Sequence, residues 1–287
     1  MKLKFTILAF FILSDIICFS QTTGAEKDTT KSVSSLTVSL LYSTNTLYLG
    51  RKDANYKSYL NPGLTYINKT GIYVSLSGDY YPDLKINKLA DYTYEAGYQF
   101  TLMKELTGSI YLSGLHSNSN STKVNAGVGT SFGTYLSWDN DIVNIGAGFD
   151  YSKGKFSDLS FTPTVSKSIP FSFGSLYQFD LSIDPSLTFS LGSQNFYRYY
   201  LADRKYKNAT VATRVNEHVK ELKKFQLLDY EFSMPVSLSY SDFTLTVTPL
   251  YVIPVNQPDF TNILPLLPGF KVSDNTFYFQ FGLGYAF

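Results

Sequence analysis

The sequence is poor in the residues that disulfides, metal sites and thiol chemistry require. It contains one cysteine, Cys18, and two histidines, His116 and His218. A single cysteine cannot form an internal disulfide, and neither histidine is accompanied by cysteines or carboxylates at metal-ligand spacing. No glycine-rich loop leads into a helix, so a nucleotide-binding motif is missing too. The sequence therefore predicts neither a metal site nor a cofactor.

Charged residues are also scarce. They make up 16% of the 287 residues, against roughly 25% in soluble domains. The formal net charge is +1, and nucleic acid is not expected as a partner because its phosphates require a basic surface. Aromatic residues, by contrast, reach 17%, with 24 Tyr and 23 Phe. Few charges and many aromatic residues are typical of a surface that meets lipid.

The first twenty residues have the pattern of a secretory signal peptide. Lys2 and Lys4 precede an apolar run that is too short to span a membrane as a helix. The small residues Cys18 and Ser20 stand at positions three and one before a cut after Ser20. We therefore expect residues 1–20 to be removed on secretion.

Acylation of Cys18, as in a lipoprotein, is a weaker alternative. Ile16 and Ile17 are bulky at positions where a lipoprotein signal has small residues. Residues 21–32 are polar and lack periodicity, so we expect them to form a disordered leader.

From residue 33 onward, apolar and polar residues alternate with the period of two that is typical of β-strands. One example is a hairpin in which the alternating segments 60–66 and 72–80 flank the turn residues 68–71. Similar segments recur as far as Phe287, and we count about twelve strands. Most are near ten residues long, which suits tilted strands that cross a membrane.

The connections between the predicted strands alternate in length. The short ones lie around Asn68, Lys104, Asp139, Phe171 and Ser241, and the long ones cover residues 43–55, 81–91, 116–123, 152–158, 193–224 and 256–274. Short turns at one rim and long loops at the other are typical of transmembrane barrels. Trp138, beside a short turn, is then expected to anchor that rim at the membrane interface.

Alternation alone does not say whether the apolar face points into a soluble β-sandwich or out toward lipid. Strand length and aromatic residues at strand ends favour the barrel, and no disulfide framework supports a sandwich. The last segment, whose aromatic residues share one face up to Phe287, resembles the closing strand of Gram-negative outer-membrane proteins. The resemblance is to a class and not to one family.

We therefore predict an all-β fold in which residues 33–287 form one antiparallel transmembrane barrel of the porin-like class. The resemblance implies export to the bacterial outer membrane, where lipid surrounds the barrel. One long loop is expected to contain a short helix.

If the apolar face meets lipid, the polar face lines the lumen, and its charged residues are mainly acidic. The predicted lumen-facing acidic residues are Asp79, Glu95, Asp150, Asp180, Asp184 and Glu231. Lys57 is the main basic candidate on this face. Such a lumen would attract cations. Alternatively, the carboxylates only brace the interior through hydrogen bonds, and the sequence does not decide between these two interpretations.

The second half of the loop at 193–224 has apolar residues at helical spacing. The residues of this predicted helix are Val211, Arg214, Val215, His218, Val219 and Leu222. The helix could fold into the lumen as a plug or cover the long-loop rim as a solvated cap. Its mixed charges favour the cap.

The segment 115–121 is similar to the His-x-Ser-Asn motif of outer-membrane phospholipases and lipid A deacylases. In that motif His and Ser lie two apart on one strand face, where the imidazole can take the hydroxyl proton. Here the residue two after His116 is Asn118, and Ser119 is one position out of register. We therefore predict no enzymatic activity, and His116 and Ser119 are the residues that would test this.

These observations favour a channel for small solutes, with cations as the preferred class. The alternative is a non-transporting barrel, either an adhesin or a subunit of an assembly, secretion or uptake complex that binds a protein partner through its long loops. A lipid hydrolase is the third and weakest hypothesis.

Overall fold

The computed structural model describes residues 33–53, 58–84, 88–118, 123–125, 127–173, 179–201, 209–217, 219–258 and 274–287. The predicted signal peptide and leader lie outside these residues. Over the described part of the chain, the protein is a closed antiparallel β-barrel with a few short helices. The predicted fold class is confirmed.

Seventeen strands follow one another in the described part of the chain. They are β1 (Ser35–Ser43), β2 (Leu47–Tyr48), β3 (Arg51–Lys52), β4 (Tyr59–Ile67), β5 (Ile72–Tyr80), β6 (Leu89–Met103), β7 (Leu106–Ser117), β8 (Thr130–Trp138), β9 (Asn144–Lys153), β10 (Ser157–Ser166), β11 (Ile169–Phe173), β12 (Phe179–Ile183), β13 (Ser186–Gly192), β14 (Gln226–Ser233), β15 (Val236–Tyr240), β16 (Phe243–Pro254) and β17 (Thr276–Ala286).

Twelve wall strands result from these segments. Three wall strands are interrupted by a short break and consist of the pairs β10 and β11, β12 and β13, and β14 and β15. β2 pairs only with β3, as a hairpin within the first long loop. β1 pairs with β4 on one side and with β17 on the other, which closes the sheet. Closure gives every wall strand two partners, as backbone amides in hydrocarbon require.

The residues described between β13 and β14 include three short helices: α1 (Asn195–Tyr199), α2 (Ala209–Glu217) and α3 (Val219–Leu222). A helix was predicted over the second half of this loop, whereas α1 was not. None of the helices in the described part of the chain is long and apolar enough to cross a membrane.

Two predicted connections are wrong. The loop at 152–158 is only residues 154–156, because the ladder between β9 and β10 pairs Lys153 with Ser157. The short connection predicted around Phe171 is not there, since Phe171 lies within β11, which extends the wall strand to Phe173.

The long loop predicted over residues 116–123 also extends further than expected, since β8 begins only at Thr130. Val124 lies in the long loop before β8, and its backbone N–H donates to the carboxylate of Asp53. A hydrogen bond to a side chain of another loop therefore replaces strand pairing there.

The wall has its apolar residues on the outside and its polar residues on the inside, the reverse of a soluble protein. In β17, Phe277, Phe279 and Phe281 are 58%, 37% and 41% exposed, whereas the alternating Thr276 and Gln280 are buried. Because successive side chains point to opposite faces of a strand, the apolar residues face outward and the polar ones inward. The predicted orientation toward lipid matches this arrangement.

Candidate functional site

The inward face of the wall carries a set of carboxylates. Every Asp and Glu in the described wall strands occupies an inward register position, namely Asp79, Asp91, Glu95, Asp150, Asp158, Asp180, Asp229 and Glu231. Asp184 lies in the break between β12 and β13 and is buried. In the same described strands of the wall, the only Lys or Arg is Lys153, which is exposed on the outward face.

The six predicted lumen residues are not equally buried. Glu95, Asp184 and Glu231 are buried, whereas Asp180 is exposed near the short-turn end of β12. Asp184 accepts a hydrogen bond from Ser182 Oγ at 2.8 Å. The acidic face therefore extends from the buried interior to the short-turn mouth of the barrel.

Two tyrosine hydroxyls donate to carboxylates near the middle of the wall. Tyr73 donates to Glu95 Oε1 at 2.7 Å, and Tyr111 donates to Asp150 Oδ1. Both tyrosines are buried on the inward face. These contacts orient the carboxylates, which agrees with a bracing role.

At the long-loop end, the β2–β3 hairpin folds back against the inward face of β14. Gly50, at the hairpin tip, has φ of +70°, and a Cβ there would lie 2.8 Å from the Cβ of Asp229. Glycine is needed at this position both for the left-handed conformation and for the close approach to the wall.

Arg51 holds this hairpin in place from a fully buried position. Its Nε donates to Gln194 Oε1 at 2.9 Å, and its other nitrogens donate to the carbonyls of Leu228, Val255 and Asn256 at 3.1 to 3.4 Å. Burial lowers the pKa of Arg51 to about 10, which leaves it charged at neutral pH. One guanidinium therefore connects the first long loop to β14 and to two other loop segments.

Lys123 makes a similar connection from the loop between β7 and β8. Its Nζ lies 2.5 Å from Asp79 Oδ2 and 2.6 Å from Asp91 Oδ2. Although burial alone lowers the pKa of Lys123, these two carboxylates raise it well above its usual value. The loop is thereby fixed to carboxylates of β5 and β6.

Apolar residues of these loops pack together into what we call the mouth cluster. Its members are Leu49, Val124, Phe196, Tyr197, Tyr200, Leu201, Val215, Leu222 and Leu228. Leu228 belongs to β14, so the mouth cluster rests on the wall. Leu47, from the hairpin, packs separately on Leu250, Val252 and Tyr278. The loops therefore occupy part of the long-loop end of the lumen.

The predicted loop helix contributes to this cluster in part. Val215 of α2 and Leu222 of α3 have no exposed surface. His218 and the side chains of Val211, Arg214 and Val219 lie outside the described residues.

Asp158 fixes the position of α1. Its carboxylate accepts hydrogen bonds from Ser193 Oγ at 2.6 Å and from the backbone N–H groups of Asn195 and Phe196 at 2.7 and 2.8 Å. A carboxylate at this location satisfies N–H groups that have no partner within the helix. Phe196 is thereby directed into the mouth cluster.

The opposite end of the lumen contains a cavity of about 440 Å³. It is lined by the turn at 68–71 and by residues near the short-turn ends of β6, β7 and β8, including Gln99, Thr107 and Tyr135. Space is therefore available at the short-turn end, while the loops fill part of the other end.

The weak hydrolase motif does not form a catalytic arrangement among the described residues. His116 is exposed on the outward face of β7, and its ring stacks on Tyr92 at a centroid distance of 4.7 Å. Ser119 and Lys57 lie outside the described residues. No group of three metal-ligating side chains is found in the described part of the chain.

Sequence reasoning missed several residues of this site. Asp91 lies four residues before Glu95 and Asp229 two before Glu231, so the same period-two rule, applied up to the strand ends, would have placed them inward. Arg51 and Lys123 carry no such signal, because nothing in the pattern of a loop says which side chain folds back into a lumen.

Comparisons with known proteins identify no family. No protein-family model matches the sequence, and no curated protein matches it either. Solved structures do resemble the fold. The KdgM porin is 10% identical to this chain with a TM-score of 0.44, and the match covers 88% of this chain and 99% of the porin chain.

A NanC porin structure is 15% identical with a TM-score of 0.44, over 88% of this chain and 98% of that chain. LpxR from Salmonella typhimurium is 12% identical with a TM-score of 0.46, over 88% of this chain and 99% of that chain. These values are too low to transfer a substrate or an activity to this chain.

Proposed function

We propose that this protein is an outer-membrane barrel that passes small, positively charged solutes through its lumen. The proposal rests on one observation: the carboxylates of the described wall strands occupy inward positions, whereas the only Lys or Arg in those strands, Lys153, faces outward. The exposed apolar belt supports a location in lipid.

The charge distribution favours cations over anions for a simple physical reason. A narrow passage with low-dielectric walls focuses the field of its charges, so several carboxylates of one sign raise the local concentration of cations and exclude anions. Arg51 and Lys123, two buried cations of the loops, contact the inward face of the wall at the long-loop end. Glu95 and Asp150, held by tyrosine hydroxyls, place two carboxyl groups near the middle of the lumen.

Planar-bilayer recordings of the purified full-length protein test the proposal. We expect the double variant Glu95→Gln, Asp150→Asn to lose severalfold in the permeability ratio of potassium to chloride, because it removes two inward carboxyl groups. Asp141→Asn is the matched control, since this residue is exposed on a short turn and its neutralisation is expected to leave the ratio unchanged. Equal ratios in all three proteins would contradict the proposal.

A second candidate is a non-transporting barrel that acts as an adhesin or as a subunit of a larger complex. The mouth cluster favours it, because a buried apolar cluster at the long-loop end hinders passage. Leu222→Ala removes buried contacts from this cluster. We expect larger conductance in this variant if the barrel is a channel. Zero conductance in both the variant and the parent, together with a stably co-purifying protein, would support the second candidate instead.

A further inference from the structure

The ammonium group of Lys123 lies in a polar pocket on the inward wall. Asp79 and Asp91 contact it at 2.5 and 2.6 Å, and the ring of Tyr81 lies 5.5 Å from Nζ. Asn61 Nδ2 donates to the other oxygen of Asp79 at 2.6 Å and so fixes that carboxylate. We call Asn61, Asp79, Tyr81 and Asp91 the ammonium pocket.

The chemistry of this pocket matches a primary ammonium group. Such a group has three N–H donors, and two carboxylates with an aromatic face supply complementary acceptors and a cation–π contact. Asp91 is 1% exposed, and its Oδ1 has no hydrogen-bond partner among the described residues. The pocket therefore keeps one buried acceptor that Lys123 does not use.

The wall supplies the ammonium pocket and a loop supplies its occupant. Asn61, Asp79 and Asp91 belong to neighbouring strands β4, β5 and β6, whereas Lys123 comes from the connection between β7 and β8. Removing the ammonium without replacement would leave two carboxylates facing each other in a buried site, which is costly. Exchange of one ammonium for another avoids that cost, because the same ion pairs form again.

We infer that the ammonium pocket binds solutes that carry a primary ammonium group, and that Lys123 is an internal ligand which such a solute displaces. This inference names the class of solute for the channel and rests on the proposed function for its biological meaning. Displacement of Lys123 would also break the ion pairs that join the loop between β7 and β8 to β5 and β6, which couples solute binding to the long-loop end.

Chemical rescue of the full-length Lys123→Ala variant in detergent micelles tests this inference. We expect the variant to unfold at a lower temperature than the parent, and ethylammonium chloride to restore the midpoint by binding the vacated pocket. Tetramethylammonium chloride at the same ionic strength lacks N–H donors, so its half-saturating concentration should be at least about tenfold higher. Lys155→Ala, which removes an exposed lysine, should respond equally weakly to both salts.

The inference is overturned if the two salts act alike on Lys123→Ala. If Lys123→Ala does not fold, Lys123→Gln replaces it in the experiment. The glutamine keeps an N–H donor but carries no charge. Rescue should also vanish when Asp91→Asn is added to either variant, and rescue that persists would overturn the assignment to this pocket. Because these measurements need no conductance, they can fail or succeed independently of the channel proposal.

Discussion

Phe281 on β17 and Phe196 on α1 occupy opposite environments in the same molecule. Phe281 is 41% exposed on the outer face of the wall, whereas Phe196 is 2% exposed within the mouth cluster. The wall places its apolar side chains on the outer face and its polar side chains on the inner face, because the outer face is solvated by lipid. The mouth cluster instead buries its apolar side chains, as a protein core in water does.

This contrast implies two sources of stability. The wall is held by a closed ladder of backbone hydrogen bonds, in which each strand has two partners. The mouth cluster is held by a modest number of apolar side chains and by polar contacts of Arg51 and Asp158. We therefore expect the mouth cluster to open locally while the wall stays folded.

The largest expected effect separates the two regions directly. Arg51→Met removes a buried cation and leaves Gln194 and the Leu228 carbonyl without their donor, which should cost the mouth cluster about 3–5 kcal/mol. Hydrogen exchange followed by mass spectrometry should show faster exchange over residues 193–201 and little change over β17. Lys52→Met, at the exposed neighbouring position, is the control. Equal acceleration in both regions would mean that wall and cluster unfold together.

A charge on the lipid-facing side should destabilise the wall rather than the mouth cluster. Phe281→Arg places a cation on the outer face of the wall and should cost about 2–4 kcal/mol of folding free energy in lipid. Folding into vesicles, followed by urea titration, measures this cost. Phe281→Leu keeps an apolar side chain and should fold like the parent. A variant with arginine that folds as well as the one with leucine would contradict the orientation of the wall.

A smaller effect is expected at the start of α1. Asp158→Ala leaves the N–H groups of Asn195 and Phe196 without their acceptor, at a cost of about 1–3 kcal/mol. Proteolysis within the loop between β13 and β14 should accelerate, with the barrel fragment left intact. The control Asp83→Ala, at an exposed loop position, should not change the cleavage rate. An unchanged cleavage rate in Asp158→Ala would mean that α1 does not depend on this carboxylate.

The smallest expected effect depends on pH. The pKa of Lys123 is raised in the folded protein above its unfolded value of about 10.4. Its contribution to stability is therefore complete below about pH 10 and is lost as the pH rises through the folded pKa. The difference in unfolding midpoint between the parent and Lys123→Met should stay constant from neutral pH to about pH 10 and shrink above it. A difference that already shrinks near neutral pH would contradict a raised pKa.

Much of the wall could be predicted because its pattern is local. The hairpin of β4 and β5 follows from alternation on both sides of the turn at 68–71, and the ladder pairs these strands as expected. Strand ends were harder to predict. β9 and β10 approach each other within three residues, where charged Lys153 and Lys155 make the sequence look like a loop.

The candidate site was predictable only where it belongs to the wall. Glu95 and Glu231 follow from the period of two, and so would Asp91 and Asp229. Arg51 depends on the β2–β3 hairpin folding back toward β14, a contact between residues about 180 positions apart in sequence that local patterns do not encode. The mouth cluster has the same origin, since its residues come from four separate segments.

If the inward carboxylates make the lumen a passage for cations, the parent protein conducts potassium in preference to chloride. The zero-current potential of the parent protein across a planar bilayer, under a gradient of potassium chloride, tests this most directly. We expect a potential of the sign set by potassium permeation, with measurable single-channel conductance. A potential of the sign set by chloride would contradict it.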